Sequence, residues 1–134
     1  MPQSYAALYH HCIFSTKDRQ LIIQPEIQPR LFEYIGGLCR ARQCSLLSAG
    51  GMPDHVHLLV SLSREISVAA FMRDIKSNSS RWINDLDPDL RFEWQAGYGA
   101  FTASHSNLDA IQKYIADQAE HHRKKTFKDR KSVV

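Results

Sequence analysis

The stretch that decides the fold is DHVHLLVSL, residues 54–62. In an extended strand, successive side chains point to opposite faces. The even-numbered positions from 56 to 62 are all aliphatic, whereas His55 and His57 share the opposite face with Leu59 and Ser61. We therefore expect helices to pack on the aliphatic face and a different element to approach the two histidines.

Patterns on either side of this strand predict three further strands and three helices. Aromatic and aliphatic residues favour strands at 5–15, 43–49 and 91–103, and residues 50–53 form a turn between the second and third strands. Apolar residues at spacings of three and four predict three helices: one that follows Pro25, one from about Ser67 to Asn84, and one from Ser106 or Asn107 to about Lys124.

The order of these elements, β-α-β-β-α-β-α, indicates the fold class. Its first six elements match the ferredoxin-like α+β arrangement, in which the sheet is antiparallel. Right-handed crossovers would place the first two helices on one face of the sheet. The last helix is additional and can cover the other face, which is the face of the histidines.

Composition sets broad limits on the kind of protein. The 134 residues suit one domain, residues 1–134, and 43% hydrophobic with 23% charged residues indicates a folded chain. No apolar run approaches the roughly 18 to 20 residues that span a bilayer, and the N-terminus lacks the layout of a secretory signal. A cytoplasmic location is expected. None of the three cysteines lies in a CxxC pair, which argues against a zinc knuckle.

The two histidines form a candidate metal site. Side chains two apart in a strand lie side by side, so His55 and His57 could bind one cation together. On the last helix, Tyr114 and Gln118 are four residues apart and share one face. A helix packed over the histidines could deliver the Gln118 carbonyl oxygen as a third ligand and the Tyr114 phenol as a nucleophile.

Each of these residues also has a plainer interpretation. The two histidines could be polar residues on an exposed sheet face, because short motifs recur by chance. Tyr114 could be a partly buried core tyrosine and Gln118 a surface glutamine. Asp54 could orient a histidine or simply occupy a turn, and no partner is predicted for His10, His11 or His105.

Longer stretches resemble a known family. They are Tyr9–Lys17, Gly51–Val60, Trp94–Phe101 and Tyr114–Gln118, followed by His121–Arg123. Together and in this order they resemble the single-tyrosine HUH (histidine, hydrophobic residue, histidine) transposases of small bacterial insertion sequences and the related REP-associated tyrosine transposases. The resemblance covers nearly the whole chain.

The resemblance implies a ferredoxin-like homodimer that binds Mg²⁺ or Mn²⁺ and recognises single-stranded DNA with hairpins at the ends of a mobile element. His55, His57 and Gln118 take the roles of metal ligands, and Tyr114 is the nucleophile that forms a 5′-phosphotyrosine. The tyrosine helix can be donated to the partner subunit, and residues 102–107 are a candidate hinge. Basic side chains near the site are expected to contact DNA phosphates: Lys76, Arg81, Arg123, Lys124 and Lys125.

Two other functions compete with this one. The HVH sequence is also similar to the histidine-triad nucleotide hydrolases, but the position of their third alternating histidine is Leu59 here. Alternatively, the chain could be a non-catalytic or domesticated protein that binds hairpin or repeat DNA with a dormant nuclease site. The presence of all four candidate site residues argues against the second alternative, because binding alone does not require them.

Overall fold

A computed structural model describes residues 8–117. Its four strands are β1 (Leu8–Ser15), β2 (Ser45–Met52), β3 (His55–Leu62) and β4 (Gly99–Ala103), and its three α-helices are α1 (Gln28–Ala41), α2 (Val68–Leu86) and α3 (Leu108–Ala116). The strands form one sheet in the order β2-β3-β1-β4, in which every neighbouring pair is antiparallel. The predicted ferredoxin-like α+β arrangement is confirmed.

The sheet carries a separate hydrophobic core on each face. The larger core includes the even-numbered residues of β3, from Val56 to Leu62, packed with the buried residues of α1 and α2. The smaller core lies on the other face, where Leu59 packs with Leu108 and Ile115 of α3. The alternation read from the sequence of β3 therefore assigns each side chain to the correct face.

The local sequence explains how the two long helices begin. Ser67 precedes α2 and its hydroxyl accepts a hydrogen bond from the Ala70 backbone N–H at 3.1 Å, which satisfies an N–H that has no partner within the helix. Helix α1 begins at Gln28, with Pro29 in its first turn, and not directly after Pro25 as predicted. A proline in the first turn forgoes no helical hydrogen bond.

The predicted fourth strand, 91–103, is too long. Only Gly99–Ala103 pairs as a strand, and Trp94 makes one isolated bridge to Thr16. The Lys76 ammonium group donates hydrogen bonds to the backbone carbonyls of Gln95 and Gly97, each at 2.7 Å, so these carbonyls do not join the ladder. Gly97 has a φ of +86°, which a strand does not accommodate.

Two other boundaries also differ from the predictions. The residues 50–52, predicted as part of a turn, belong to β2, and the chain reverses only at Pro53 and Asp54. The predicted hinge at 102–107 overlaps the end of β4 and a 3₁₀ turn, His105–Asn107. The predicted end of the last helix, near Lys124, lies outside the described residues. No helix within 8–117 combines the length and apolar character that a membrane crossing needs.

Candidate active site

Two buried histidines stand side by side at the start of β3. His55 is 5% exposed and His57 is 4% exposed, and their ring centroids lie 5.1 Å apart. This burial rules out the interpretation of the pair as polar residues on an exposed sheet face. Imidazoles that are buried together on one face are typical of a ligand or catalytic pair, because burying polar groups is costly without a partner.

Asp54 holds the first of the two histidines. Its Oδ1 lies 2.7 Å from His55 Nδ1, and its Oδ2 lies 3.3 Å from Arg19 Nε. The backbone carbonyl of Asp54 accepts hydrogen bonds from the N–H and the hydroxyl of Thr16, at 2.9 and 3.2 Å. A carboxylate can only accept, so His55 carries a proton on Nδ1 and, when neutral, its lone pair on Nε2. Asp54 is thus both a turn residue and a positioning residue.

A third histidine, which the sequence did not single out, belongs to the same cluster. His11 of β1 places its Nε2 3.0 Å from Nδ1 of His57. Burial lowers the pKa of His11, because desolvation disfavours the charged ring. The signal was present in the topology: β1 lies beside β3 in this fold, and the odd-numbered residues of β1 share the histidine face.

Tyr114 of α3 lies against this cluster within the same chain. Its ring centroid is 5.8 Å from that of His57 and 6.1 Å from that of His11, and both contacts are edge-on. The tyrosine is 43% exposed, so it is not a core residue. The structure therefore brings a solvent-accessible phenol next to His57 and His11.

Helix α3 approaches the sheet closely because of a glycine opposite His57. Gly50 of β2 is the register partner of His57. A Cβ on Gly50 would lie 2.4 Å from the backbone oxygen of Ile115, the residue that follows Tyr114. No side chain larger than hydrogen fits in that space, so this glycine sets the distance between the tyrosine helix and the histidine strand.

Two of the predicted DNA-binding residues lie away from this cluster. Lys76 and Arg81 both belong to α2, which packs on the opposite face of the sheet. Five positions along a helix correspond to a rotation of about 140°, so these two side chains also point in different directions. Gln118 and the basic residues 123–125 lie outside the described residues.

The chain is similar to known transposases. It is 29% identical over 117 residues to the transposase of insertion sequence element IS200 from Salmonella typhimurium, covering 83% of this chain and 76% of that protein. It is 27% identical over 117 residues to the ISDra2 transposase TnpA of Deinococcus radiodurans, covering 83% and 84%.

Solved structures share the fold. A Deinococcus radiodurans R1 protein assigned as a transposase matches with a TM-score of 0.70 and 25% identity, covering 88% of this chain and 96% of that one. A REP-associated tyrosine transposase, solved with a REP hairpin bound, matches with a TM-score of 0.66 and 16% identity, covering 91% and 73%. The family model for IS200-like transposases spans residues 4–118, and the chain accordingly belongs to the IS200-like transposase family.

Proposed function

We propose that this chain is a metal-dependent DNA transposase that cleaves and rejoins single-stranded DNA through a covalent bond to Tyr114. The observation that carries the proposal is the contact between an exposed phenol and a buried histidine pair, with Tyr114 and His57 ring centroids 5.8 Å apart. Membership of a transposase family supports DNA as the substrate of that site.

The reaction is a phosphoryl transfer in which bond energy is kept. The Tyr114 oxygen attacks a backbone phosphorus, the phenol gives up its proton, and the bond from phosphorus to the 3′ oxygen breaks. That oxygen takes up a proton and leaves as a 3′-hydroxyl, and the other DNA end stays attached as a 5′-phosphotyrosine. Attack by a second 3′-hydroxyl on this phosphotyrosine restores the tyrosine and joins new ends.

Two buried imidazoles could ligate a divalent cation, and the family, rather than this donor set, is the ground on which we propose Mg²⁺ or Mn²⁺. Both imidazoles are buried on one face, and each has its Nδ1 in a hydrogen bond, as is usual for metal-ligating histidines. Gln118, the proposed third ligand, follows directly after the described residues. When bound, the cation would stabilise the negative charge that develops on the scissile phosphate.

Basic side chains away from the cluster are proposed to hold the DNA. An open groove of about 620 Å³ lies between α2 and residues 92–96, and Lys17, Arg73 and Lys76 line it. Lys76 already donates two hydrogen bonds to backbone carbonyls, which leaves one of its three N–H groups for a phosphate. Together with Arg81 and residues 123–125, these cations would bind hairpin DNA through its backbone.

A homodimer and a cytoplasmic location are part of the same proposal. Strand β4 is an edge of the sheet, and its Phe101 is 59% exposed, which is typical of a surface that another chain covers. Donation of the tyrosine helix to the partner can be tested by mixing a Tyr114→Phe subunit with a His55→Ala subunit. Cleavage by the mixture, when neither variant cleaves alone, is the expected result of sharing.

The direct test is capture of the covalent intermediate. A labelled single-stranded DNA with a hairpin, incubated with the protein and Mn²⁺, should give a protein–DNA adduct that survives denaturing electrophoresis. Tyr114→Phe should abolish the adduct and leave DNA binding intact. Tyr98→Phe is a matched control, because Tyr98 is 42% exposed against 43% for Tyr114.

The same experiment separates the competing functions. A shifted DNA complex without any adduct in the unmodified protein would indicate a non-catalytic hairpin-binding protein. Nucleotide release without protein-linked DNA would indicate a hydrolase. An adduct that persists in Tyr114→Phe and disappears in Tyr98→Phe would show that our proposal names the wrong tyrosine and that Tyr98 is the nucleophile.

A further inference from the structure

The cluster holds one imidazole for which the proposed reaction has no role. His11 lies on β1, opposite Leu59 of β3 and Phe101 of β4, on the face that α3 covers. Its ring contacts three others, with centroids 5.2 Å from His57, 6.1 Å from Tyr114 and 6.4 Å from Phe101. It therefore sits where the histidine strand and the tyrosine helix meet.

We propose that His11 is a positioning residue that accepts the Nδ1–H of His57 and so fixes the tautomer and ring orientation of that histidine. The proposal rests on the proposed function, because it assigns His57 Nε2 to the metal. The two nitrogens lie 3.0 Å apart, which is a normal hydrogen-bond length. When His57 Nδ1–H is the donor and His11 is the acceptor, the lone pair of neutral His57 is on Nε2.

The neighbouring histidine supports this direction. His55 Nδ1 donates to Asp54 at 2.7 Å, so the lone pair of His55 is also on Nε2. With both rings in the same tautomer, each Nε2 would offer its lone pair to a cation. The opposite direction of the His11 bond would put a proton on His57 Nε2, where a cation cannot bind.

The surroundings of His11 suit an acceptor. Its Nε2 lies 3.0 Å from His57 Nδ1, where a lone pair on Nε2 can accept a hydrogen bond. His57 thus has an imidazole as its partner, whereas His55 has a carboxylate that also pairs with Arg19. The two proposed ligands therefore have different partners, a carboxylate of the turn before β3 for His55 and an imidazole of β1 for His57. The ring of His11 also contacts the ring of Tyr114.

The test compares His11→Gln with His11→Leu. A glutamine can place its amide oxygen near the position of the imidazole Nε2 and keep an acceptor, whereas leucine removes it. His10→Leu is the matched control, since position 10 adjoins position 11 but faces the other side of the sheet. The readouts are the ¹⁵N chemical shifts of the His57 ring in metal-free protein and the affinity for Mn²⁺ without DNA.

The unmodified protein and His11→Gln should show His57 protonated on Nδ1, and His11→Leu should shift it toward the Nε2–H tautomer. Mn²⁺ affinity should fall about 10- to 100-fold in His11→Leu and recover in His11→Gln. A His57 ring protonated on Nε2 in the unmodified protein overturns the proposal, and this measurement needs no variant to fold. Unchanged tautomer and Mn²⁺ affinity in a folded His11→Leu protein overturns it as well.

These outcomes are distinct from failure of the proposed function. If the unmodified protein forms no adduct with DNA, the transposase chemistry fails, yet the His57 tautomer still decides the role of His11. If the adduct forms and the His57 tautomer is unaffected by His11→Leu, the chemistry stands and the positioning role of His11 is wrong.

Discussion

Gly50→Ala tests whether the packing distance between α3 and the sheet controls the rate of the proposed cleavage reaction. The added Cβ would lie 2.4 Å from the Ile115 backbone oxygen and 3.1 Å from its Cγ2. Carbon–oxygen contacts normally begin near 3.3 Å, so α3 must move outward by about 1 Å. Because Tyr114 precedes Ile115, its phenol moves with the helix.

The displacement should slow cleavage in a protein that still folds. A misplacement of about 1 Å costs up to about 100-fold in rate, whereas overpacking of this kind costs about 1 to 3 kcal/mol in unfolding free energy. The rate of adduct formation under single-turnover conditions with Mn²⁺ measures the first effect, and urea unfolding measures the second. We expect a folded protein that binds hairpin DNA and forms adduct slowly.

Gly37→Ala is the matched control. Its added Cβ would come no closer than 3.7 Å to another residue, the Arg40 side chain, and it lies inside α1. Alanine is favoured over glycine there by about 1 kcal/mol, so this variant should be slightly more stable and fully active. If Gly50→Ala cleaves at the rate of the unmodified protein, α3 does not dock on β2 in the active form. The close contact at Gly50 then does not set the position of Tyr114 during cleavage.

Three further predictions concern groups outside that contact. Burial raises the pKa of Cys12 and Cys39 to about 12, so iodoacetamide should modify these thiols only in denaturant, and rapid labelling of the native chain by mass spectrometry would contradict this. Burial lowers the folded-state pKa of His10 and His11 below the ordinary 6.5; the unfolded chain then binds more protons in acid, and stability should be lost as pH falls below about 6.5. Urea unfolding should show that the free energy of unfolding falls less between about pH 7.5 and about pH 5.5 in His10→Gln than in the unmodified protein. An equal fall in both proteins would exclude His10 as a contributor. Arg81→Gln should reduce the slope of log binding constant against log salt by about 0.7 to 0.9 for hairpin DNA, and an unchanged slope would remove Arg81 from the DNA contacts.

Strict alternation in one strand made most of the fold predictable. The row from Val56 to Leu62 could face only a helical layer, and this placed His55 and His57 on the other side, where α3 lies. The predicted fourth strand was too long because side chains of α2 bind the backbone of residues 92–97, Asn84 at Phe92 and Lys76 at Gln95 and Gly97. Periodicity within a segment carries no information about a hydrogen bond that a distant side chain offers to its backbone.

Spacing on single elements predicted which side chains the candidate site contains, and His11 was missed because its contact depends on how two strands pair. His55 with His57, and Tyr114 as the residue that approaches them, follow from spacing on a strand and a helix. The contact of His11 with His57 depends on the register of β1 against β3, which pairs Ile13 with His57 and so places His11 diagonally beside it. That register is a property of the assembled sheet.

The small size of the second core bears on how the tyrosine helix works. Helix α3 has nine described residues, and only Leu108 and Ile115 among them are buried. Burying an apolar side chain contributes about 1.5 to 3 kcal/mol, so these two side chains contribute about 3 to 6 kcal/mol to the docking of α3. In the proposed homodimer the same two side chains could pack on the equivalent face of the other subunit, which would recover the energy of undocking. An exchange of tyrosine helices between subunits would therefore cost little at equilibrium, whereas exchange of α1 or α2 would open the main core. Under the proposed function, the nucleophile therefore lies on the α-helix that buries the fewest residues among those described, two against four in α1 and five in α2, and movement of α3 would be the least costly rearrangement available to a strand-transfer cycle.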